Sequence, residues 1–421
     1  MTEEIKGRIE QIKAGQVPEG YKQVHSGTIP VDWNEATISN IADEITDTAG
    51  EGEYETLSIS AGIGFVNQAQ KFGREKSGAQ YAKYTVLHRG DFSYNKGNSN
   101  LYPQGCIYRL NDRKEAAVPN VFESFRFTAQ DGDYYEQLFV NGFLNKQLYS
   151  KINHGVRDDG LLNLTGSDFY SCCLPVPPLP EQKKIAEILR QCDKVIELKK
   201  ANVEEEKKRK KWMLGKLLSP PKSNNKTYER DGWKKVCINE IGSVITGSTP
   251  QTSKAEFFEN GIYPWVTPTD ISSKYISETE RKLSKVGINV SKKLPANTLL
   301  VTCIASIGKN TILRSEGSCN QQINALIMNP GFDTEFIYYA ISNQKQYFLK
   351  LAGTTATPII NAAIFGKMQF DVPNYPLQKA IAQVLAIQDK CIDLLDQEIF
   401  QWQQKKKALM QLLLMGIVRV K

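Results

Sequence analysis

The sequence is poor in the side chains from which metal sites and hydrolytic centres are built. It has three histidines in 421 residues, and none lies at ligand spacing from a cysteine or forms an evident catalytic pair. Neither a zinc site nor a Ser-His-Asp type of triad is therefore expected. The eight cysteines include no Cys-x-x-Cys pair and are too sparse for a disulfide framework. We interpret them as the reduced thiols of a cytoplasmic protein.

Long apolar runs are also missing. No stretch of eighteen apolar residues exists, so no membrane span is expected, and the charged N-terminus MTEEIKGRIEQIK lacks the apolar centre of a secretory signal. A chain of this length predicts two or three globular domains. The net charge of +7 is compatible with a polyanionic partner but does not argue for one by itself.

What the sequence does contain is a long internal repeat. The stretch VPPLPEQKKIAEILRQCDKVIELKK from Val176 returns as VPNYPLQKAIAQVLAIQDKCIDLLD from Val372. A gap-free alignment of residues 169–218 with residues 365–414 gives 17 identities in 50 positions. In both copies the prolines favour an extended lead-in to a helix. A repeat of this period sets the architecture of the whole chain.

Each copy of the repeat predicts one long helix. Apolar residues recur at alternating steps of three and four, which is the a/d period of a coiled coil. From starts near Glu181 and Leu377, each helix is predicted to extend for about 38 residues, which is long for a compact domain. Neither helix could bury so narrow a stripe alone, so we predict an antiparallel two-helix rod. Two ordinary amphipathic helices of a bundle are the alternative.

The end of the first long helix is marked by Gly215, Pro220 and Pro221, with a polar connector behind them. Before this end, the basic run KKRKK at residues 207–211 follows three glutamates. That order predicts acid-to-base pairs four residues apart along the helix. We therefore favour a solvated helix face for this run over direct contact with DNA.

The blocks that precede the two long helices, residues 26–174 and 221–371, are alike in outline only. Both open with a tryptophan phrase, VDWNEATISN or DGWKKVCINE, and continue with short β-type runs such as YTVLHRGDFSYN and TLLVTCIASIGKNTIL. Both close with a helix-like stretch, EQLFVNGFLNKQLYSKI or TEFIYYAISNQKQYFLKLA. The chain is thus a tandem duplication with similar helices and divergent blocks. Such a scaffold suits the reading of two different half-sites of DNA at a fixed distance.

Several phrases make the chain similar to the DNA-specificity subunits of type I restriction-modification systems. They are the helix start VPPLPEQKKIAEIL, the phrase GSTPQTS…GIYPWVTPTDIS from Gly247, and NQQINALI from Asn320. The likeness covers essentially the whole chain. It departs from the family pattern at the second helix, which begins Pro-Leu-Gln without a glutamate, and in the first block, which has no Gly-Ser-Thr-Pro loop.

The resemblance implies an α+β fold. Two target-recognition domains, each of mixed α/β character with short strands and helices, would be separated by a pair of long antiparallel coiled-coil helices. The implied divisions are an N-terminal helical segment (1–25), the first target-recognition domain (26–174), the central conserved helix (175–220), the second target-recognition domain (221–371) and the C-terminal conserved helix (372–421).

The resemblance also implies a non-catalytic subunit. Each recognition domain would read one half of a bipartite site on double-stranded DNA, and the coiled coil would set the spacing. The implied partners are two methyltransferase subunits and, in the full complex, two restriction subunits. No cofactor is expected on this chain, because S-adenosylmethionine and ATP would be bound by those partners.

Motifs for catalysis within the chain are weak. The nearest match to an amino-methyltransferase loop, Ser219-Pro220-Pro221-Lys222, has a lysine where an aromatic ring would stack on the target base. Gly308-Lys309 is not followed by Ser or Thr, so a hairpin turn is favoured over a P-loop. A nuclease, or an adaptor that binds only proteins through its coiled coil, are the alternatives.

DNA contacts are expected on loops rich in Asn, Gln, Arg, Lys, Ser and Thr, since these side chains read bases and bind phosphates. Three loops in each block fit: QAQKFGREKSG, SYNKGNSNLYPQG and NHGVRDDG, then TGSTPQTSK, SIGKN and AGTTATP. For the Gly-Ser-Thr-Pro loop a structural turn is the alternative. The predicted DNA-binding residues are Lys71, Arg74, Lys76, Tyr94, Lys96, Asn98, Asn100, Arg157, Thr246, Ser248, Thr249, Gln251, Lys254, Lys309, Thr354 and Thr355.

Overall fold

A computed structural model describes residues 2–73, 78–97, 102–152, 162–221, 232–304, 306–352 and 359–420. The chain divides into two compact units. Unit 1 comprises residues 1–199 and 398–421, and unit 2 comprises residues 200–397. The division passes through both long helices, so each unit holds a part of each.

Unit 1 consists of small antiparallel sheets with helices packed around them. Its elements are α1 (Glu3–Lys13), β1 (Tyr21–Val24), β2 (Gly27–Pro30), β3 (Asn34–Thr37), α2 (Ile38–Ile41), β4 (Ala42–Glu44), β5 (Leu57–Ser60), β6 (Gly64–Asn67), α3 (Gln68–Phe72), a 3-10 turn (Gly78–Lys83), β7 (Thr85–His88), β8 (Phe92–Asn95), β9 (Cys106–Arg109), β10 (Glu115–Val118), β11 (Glu123–Phe127), α4 (Gly132–Val140), α5 (Asn145–Lys151), α6 (Gly166–Tyr170), β12 (Cys173–Val176) and the first part of α7 (Leu179–Leu217).

The largest sheet of unit 1 has the strand order β4-β11-β8-β9 and is antiparallel throughout. One face carries Phe92 and Phe125, whose rings stack 5.4 Å apart, and Phe139 of α4 packs edge-on against Phe92. Aromatic pairs of this kind bury large apolar areas. The contact between this sheet and α4 is therefore the centre of the core.

Unit 2 is also built on one main sheet with helices packed around it, and its described residues form three sheets where those of unit 1 form five. Its elements are β13 (Lys234–Cys237), α8 (Ile238–Ile241), β14 (Gly242–Thr246), a 3-10 turn (Ala255–Phe257), β15 (Tyr263–Val266), β16 (Tyr275–Ile276), β17 (Lys282–Leu283), α9 (Lys285–Asn289), β18 (Leu299–Thr302), β19 (Asn310–Leu313), β20 (Ser318–Cys319), β21 (Ile323–Met328), α10 (Thr334–Ser342), α11 (Lys345–Leu351), α12 (Ala362–Gly366), β22 (Gln369–Val372) and the first part of α13 (Tyr375–Leu413).

The largest sheet of unit 2 has the order β14-β21-β18-β19-β16. Leu299 and Val301 of β18 lie in the apolar cluster that includes Phe336 of α10, whereas Leu300 lies in another cluster with Val266. Alternate residues of a strand face opposite sides of its sheet, so both faces of β18 are covered. Strands covered on both faces have continuous apolar sequences, which explains the run TLLVTCI.

The two sheets share one topology. The order β4-β11-β8-β9 in unit 1 corresponds to β14-β21-β18-β19 in unit 2, and a pair of helices follows β11 and β21 alike. A short antiparallel pair, β3 with β12 or β13 with β22, then leads into each long helix. The tandem duplication predicted from the sequence is confirmed in the strand order.

The predicted pair of long antiparallel helices is confirmed, and each helix spans 39 residues. In unit 1, Ile185 and Leu189 of α7 share an apolar cluster with Met410 and Leu413 of α13. The chain direction is antiparallel, because residues further along one helix meet earlier residues of the other. Each buried leucine or isoleucine of this kind contributes about 1.5–3 kcal/mol by the removal of apolar surface from water.

The same contact recurs within unit 2. There Ile381 and Leu385 of α13 share a cluster with Leu218, and Leu214 and Leu217 of α7 pack against it. All five positions correspond to unit 1 residues through the sequence repeat. The a/d pattern thus predicted the buried stripe of both helices.

Charged pairs between the helices are repeated as well. In unit 1, Lys406 Nζ lies 2.6 and 2.7 Å from the carboxylate oxygens of Asp193. In unit 2, the corresponding residues Lys210 and Asp389 form an ion pair. Each pair joins α7 to α13 at a fixed register.

Two details of the sequence prediction need correction. Gly215 lies inside α7, which ends at Leu217, so the stop comes from the Ser219-Pro220-Pro221 stretch alone. In the basic run, Lys207 pairs with Glu204 and Arg209 with Glu206, three residues apart rather than four. Helical side chains point toward the N-terminus of the helix, so a basic side chain can reach the residue three or four positions before it.

A glutamine near the start of each long helix joins that helix to its unit. Gln182 accepts a hydrogen bond from the backbone N–H of Asp131, which caps α4, at 2.9 Å. Gln378 accepts one from Asp333, which caps α10, also at 2.9 Å. Both amides also donate to a proline carbonyl five residues back. Buried amides with matched partners of this kind fix the angle between helices.

The start of α7 has a further anchor in unit 1. The Trp33 indole N–H donates to Glu181 at 3.0 Å, and the Arg419 guanidinium donates to Glu181 and to Asp32 at 2.8 Å. Burial alone would raise the pKa of Glu181, but the hydrogen bonds from Arg419 and Trp33 outweigh it, so the pKa lies below its usual value. The position corresponding to Glu181 in the second helix is Leu377, which is partly exposed.

Candidate nucleic-acid interface

Three connections of unit 2 meet at one edge of its main sheet. Thr246 at the end of β14 pairs with Asn324 of β21, and Thr302 at the end of β18 pairs with Ile323. Beyond this edge, the Cys303 N–H donates to the carbonyl of Gln322 at 2.8 Å. The loops after β14, between β18 and β19, and before β21 therefore lie side by side.

Backbone hydrogen bonds hold the Gly-Ser-Thr-Pro loop at this edge. Gly247 N–H donates to Ile323 O at 3.0 Å, and Ser248 N–H donates to Cys319 O at 2.9 Å. A Cβ atom on Gly247 would lie 2.2 Å from the carbonyl oxygen of Asn320, so only glycine fits. The Trp265 indole N–H also donates to Ser248 O at 3.1 Å. These bonds support a structural role for the turn itself.

Side chains further along the loop are exposed. The hydroxyl of Thr249 donates to Gln321, and Gln251 and Lys254 are exposed beyond it, with Lys254 Nζ 5.4 Å from the centre of the Phe257 ring. The hydroxyl of Thr246 donates to Asn324 Oδ1 at 3.0 Å. Residues of the types that read base edges are thus presented next to a rigid turn.

The turn between β18 and β19 is the hairpin favoured from the sequence. Gly308 has φ of +83°, and Thr302 N–H donates to Lys309 O at 2.8 Å, which closes the turn. Lys309 and Ser306 are exposed on it. The predicted contact Lys309 is therefore placed at the same edge as Thr249 and Gln251.

Gln321 and Gln322 were missed as candidate contacts. Gln321 is exposed, holds the Thr249 hydroxyl and lies directly before β21. The signal was available in the phrase NQQINALI, where two amides precede an apolar strand.

At the corresponding edge of unit 1, the two described lysines among the predicted contacts bind groups of their own unit. Lys96 Nζ lies 2.6 Å from Glu123 and 3.4 Å from the carbonyl of Leu164, and its side chain is 17% exposed. Lys71 donates to the carbonyl of Ile59 at 3.1 Å. Both predicted phosphate contacts are engaged within the unit.

The prediction for Tyr94 is wrong. Its ring is completely buried and stacks on Phe169 with centroids 4.7 Å apart, and its hydroxyl donates to Gln104 O at 2.8 Å. Burial raises the pKa of this phenol well above its usual value. Alternate residues of β8 point to opposite faces, and Tyr94 points into the core.

Seven of the predicted contacts lie outside the described residues. They are Arg74, Lys76, Asn98, Asn100, Arg157, Thr354 and Thr355.

The part of the chain that the structure describes offers no group of three or more His, Cys, Asp and Glu side chains able to hold a metal ion. Several thiols are buried among apolar side chains. Burial raises the pKa of Cys106 and Cys303 to about 11 and that of Cys319 to about 12. These three thiols are therefore protonated at neutral pH, and a thiol in that state is a weak nucleophile.

A family model described as "Type I restriction modification DNA specificity domain" matches the chain twice, at residues 30–207 and 230–401. The chain belongs to this family. As the two matches and the duplicated sheets agree, this specificity subunit has two recognition domains.

Curated relatives extend this finding. The specificity subunit of the HindI type I restriction enzyme from Haemophilus influenzae is 31% identical over 163 residues, which are 36% of this chain and 35% of that protein. The MjaVIII specificity subunit from Methanocaldococcus jannaschii is 22% identical over 96% of this chain and 97% of its own length. The chain thus spans about a third of the first relative and nearly all of the second.

Solved structures share the fold of this specificity subunit. A chain described in work on complex assembly and conformational transition of a type I restriction-modification system covers 93% of this chain and 99% of its own length. Its TM-score is 0.62 at 13% identity. The expected α+β architecture is confirmed. None of the described helices is both long and apolar enough to cross a membrane.

Proposed function

We propose that the two recognition domains each read one half of a bipartite sequence on double-stranded DNA. One observation carries this proposal. The main sheets of both units have the same strand order, but the side chains at the corresponding edge of each sheet differ. A shared scaffold with divergent edges is what two different half-sites require. In unit 2 the reading edge comprises Thr246, Thr249, Gln251, Gln321 and Lys309.

The chemistry of these residues suits the major groove. Glutamine can form two hydrogen bonds with adenine, threonine and serine hydroxyls accept or donate, and lysine binds guanine or phosphate. Gly247 and the backbone bonds around it hold the edge rigid, so little entropy is lost when DNA binds. The coiled coil sets the spacing between the half-sites.

The docking surface for methyltransferase subunits is a second apolar stripe on α13. Val384, Ile387 and Leu394 are 43%, 70% and 50% exposed, and Cys391 between them is exposed too. Their spacing of three and four residues places them on one face of the helix. Exposed apolar stripes of this kind mark protein interaction sites.

The repeat places Leu198, which is 58% exposed, at the α7 position that corresponds to Leu394, but Gln191 stands there at the position of Ile387. The two methyltransferase subunits per chain, and two restriction subunits in the full complex, are therefore proposed from the duplication of the chain and not from two identical stripes. Catalysis, S-adenosylmethionine and ATP are assigned to those partners, and this chain acts in the cytoplasm as a non-catalytic subunit.

Substitution of the stripe tests this assembly. Ile387→Asp with Leu394→Asp is expected to abolish the complex with the methyltransferase by size-exclusion light scattering, because each change places a charge in an apolar contact. Val290→Asp, at a 56% exposed site outside the stripe, is the control. An intact complex in the double variant would refute the docking surface.

Methylome sequencing tests DNA reading directly. A host that carries the methyltransferase should show methylation at a split motif only when this chain is present. Unchanged methylation, together with an intact protein complex, would instead favour an adaptor role without DNA.

A further inference from the structure

Each unit has a cleft between its main sheet and the two helices that follow the sheet, which are α4 and α5 in unit 1 and α10 and α11 in unit 2. In unit 1 the cleft lies between β9 and the helices α4 and α5, with a volume of about 360 Å³. In unit 2 it lies between the β18–β19 turn and the helices α10 and α11, with a volume of about 800 Å³. The clefts occupy equivalent places in the shared topology, so their linings can be compared directly.

The unit 2 cleft is basic and rich in hydroxyl groups. Its polar lining residues include Ser272, Ser273, Ser306, Lys309, Ser342 and Lys345. None of the described residues that line it is acidic. Lys309 and Lys345 are both exposed. Two positive charges therefore face the cavity, and Ser272 and Ser306 add hydroxyl groups to its wall, whereas the Ser342 hydroxyl donates to Tyr338 O at 2.8 Å.

The third lysine that lines the cleft, Lys274, forms an ion pair within the unit. Lys274 Nζ lies 3.0 Å from both Glu335 and the Tyr339 hydroxyl, and its side chain is only 12% exposed. Burial alone would raise the pKa of Glu335, but the hydrogen bonds from Tyr275 and Lys274 outweigh it, so the pKa is lowered. Lys274 is thus neutralised inside the unit, and the positive charge of the cleft comes from Lys309 and Lys345.

The unit 1 cleft has a neutral lining. Among the described residues that line it, Tyr102, Tyr108, Asn141 and Asn145 are polar and none is charged. Asn145 begins α5, as Lys345 begins α11. The difference in charge therefore arises at matching positions of the two units.

We propose that the unit 2 cleft binds a backbone phosphate of DNA. The proposal rests on the proposed function of the chain. Lys309 carries the argument, because it belongs both to the reading edge and to the wall of the cleft, and Ser306 lines the cleft from the same turn. A strand of DNA whose bases meet the edge would place a phosphate next to it. Lysine holds phosphate as a point charge, and serine hydroxyls add hydrogen bonds.

The test uses the chain in complex with its methyltransferase partner and a duplex that contains the methylated motif. Fluorescence anisotropy from 50 to 200 mM salt gives the slope of log K against log salt, which changes by about 0.9 for each phosphate contact. Lys309→Gln with Lys345→Gln is expected to flatten this slope by about one, because both lysines are assigned to the same phosphate. Lys309→Arg with Lys345→Arg keeps the charges and should retain the slope.

A matched control is Lys285→Gln with Lys367→Gln, which removes two exposed charges of unit 2 outside the cleft. An unchanged slope in the Lys309/Lys345 glutamine variant would overturn the proposal, as would an equal fall in the control. Loss of the methyltransferase at an unchanged slope would assign the cleft to a protein partner instead. If the unaltered complex bound no DNA at all, the proposed function would fail, which is a separate result.

Discussion

The two units differ at their sheet edges and agree in the contacts between their long helices. In unit 1 the lysine at the sheet edge, Lys96, is neutralised by Glu123, and the nearby cleft is uncharged. In unit 2 Lys309 is exposed on the β18–β19 turn, and Lys345 adds a second charge to the cleft beside it. The apolar contacts of the long helices are equivalent in both. The duplicated chain has thus kept the residues that join the long helices and varied those at the sheet edges.

The largest expected effect concerns what the units share. Leu189→Ala and Leu385→Ala remove equivalent, fully buried side chains and should each destabilise their own unit by about 2–5 kcal/mol. Denaturant unfolding followed by hydrogen exchange would locate the loss in unit 1 for the first and in unit 2 for the second. A loss spread evenly over both units in either variant would show that the units do not unfold separately.

An intermediate effect on stability is expected from the contact of Glu181 with Arg419, because this contact has no counterpart in unit 2. Glu181→Gln should lower stability at pH 7 by about 1–3 kcal/mol, because Arg419 loses its buried partner. The folded pKa of Glu181 is lowered, so its contribution is complete above the unfolded pKa of about 4.3 and is lost as pH falls through the folded value.

The check is a comparison of unfolding free energies of the two proteins from pH 7 to pH 3. The gap between them should close in acid. Leu377→Gln, at the corresponding position of unit 2, is the control and should show no dependence of this kind. A constant gap at all pH values would contradict the assignment of the charge on Glu181.

The smallest effect is expected from a substitution that makes the sheet edge of unit 1 more like that of unit 2. Glu123→Gln releases Lys96 from its ion pair, so the slope of log K against log salt for DNA binding should steepen by up to about one. Glu115→Gln on β10, which pairs with His88 away from this edge, is the control. A slope that stays unchanged would place Lys96 beyond the reach of DNA.

The sequence predicted the parts of the fold that depend on local patterns. The a/d spacing identified both long helices, since a stripe such as Ile381 and Leu385 must be buried. The runs around Leu299 and Asn310 identified a hairpin, because apolar strands flanked a Gly-Lys turn. These features follow from periodicity and from proline and glycine, which act over a few residues.

Features that depend on tertiary contacts were not predictable in this way. The loop SYNKGNSNLYPQG predicts a DNA contact at Tyr94, yet the strand is covered on the face where this side chain points. The ion pair of Lys96 joins residues 27 positions apart. No sequence pattern marks Lys345, because only the packing of α11 beside the β18–β19 turn gives it a place in the cleft.

The hydrogen bonds from the caps of α4 and α10 to the glutamines of the long helices have a consequence for how new DNA specificities arise. Gln182 with Asp131, and Gln378 with Asp333, provide the same joint at the same distance in both units. A gene segment that encodes one recognition domain and retains this joint would fit either position. Recombination between related genes could therefore produce an unfamiliar pair of half-sites in one step, without any change to the helices.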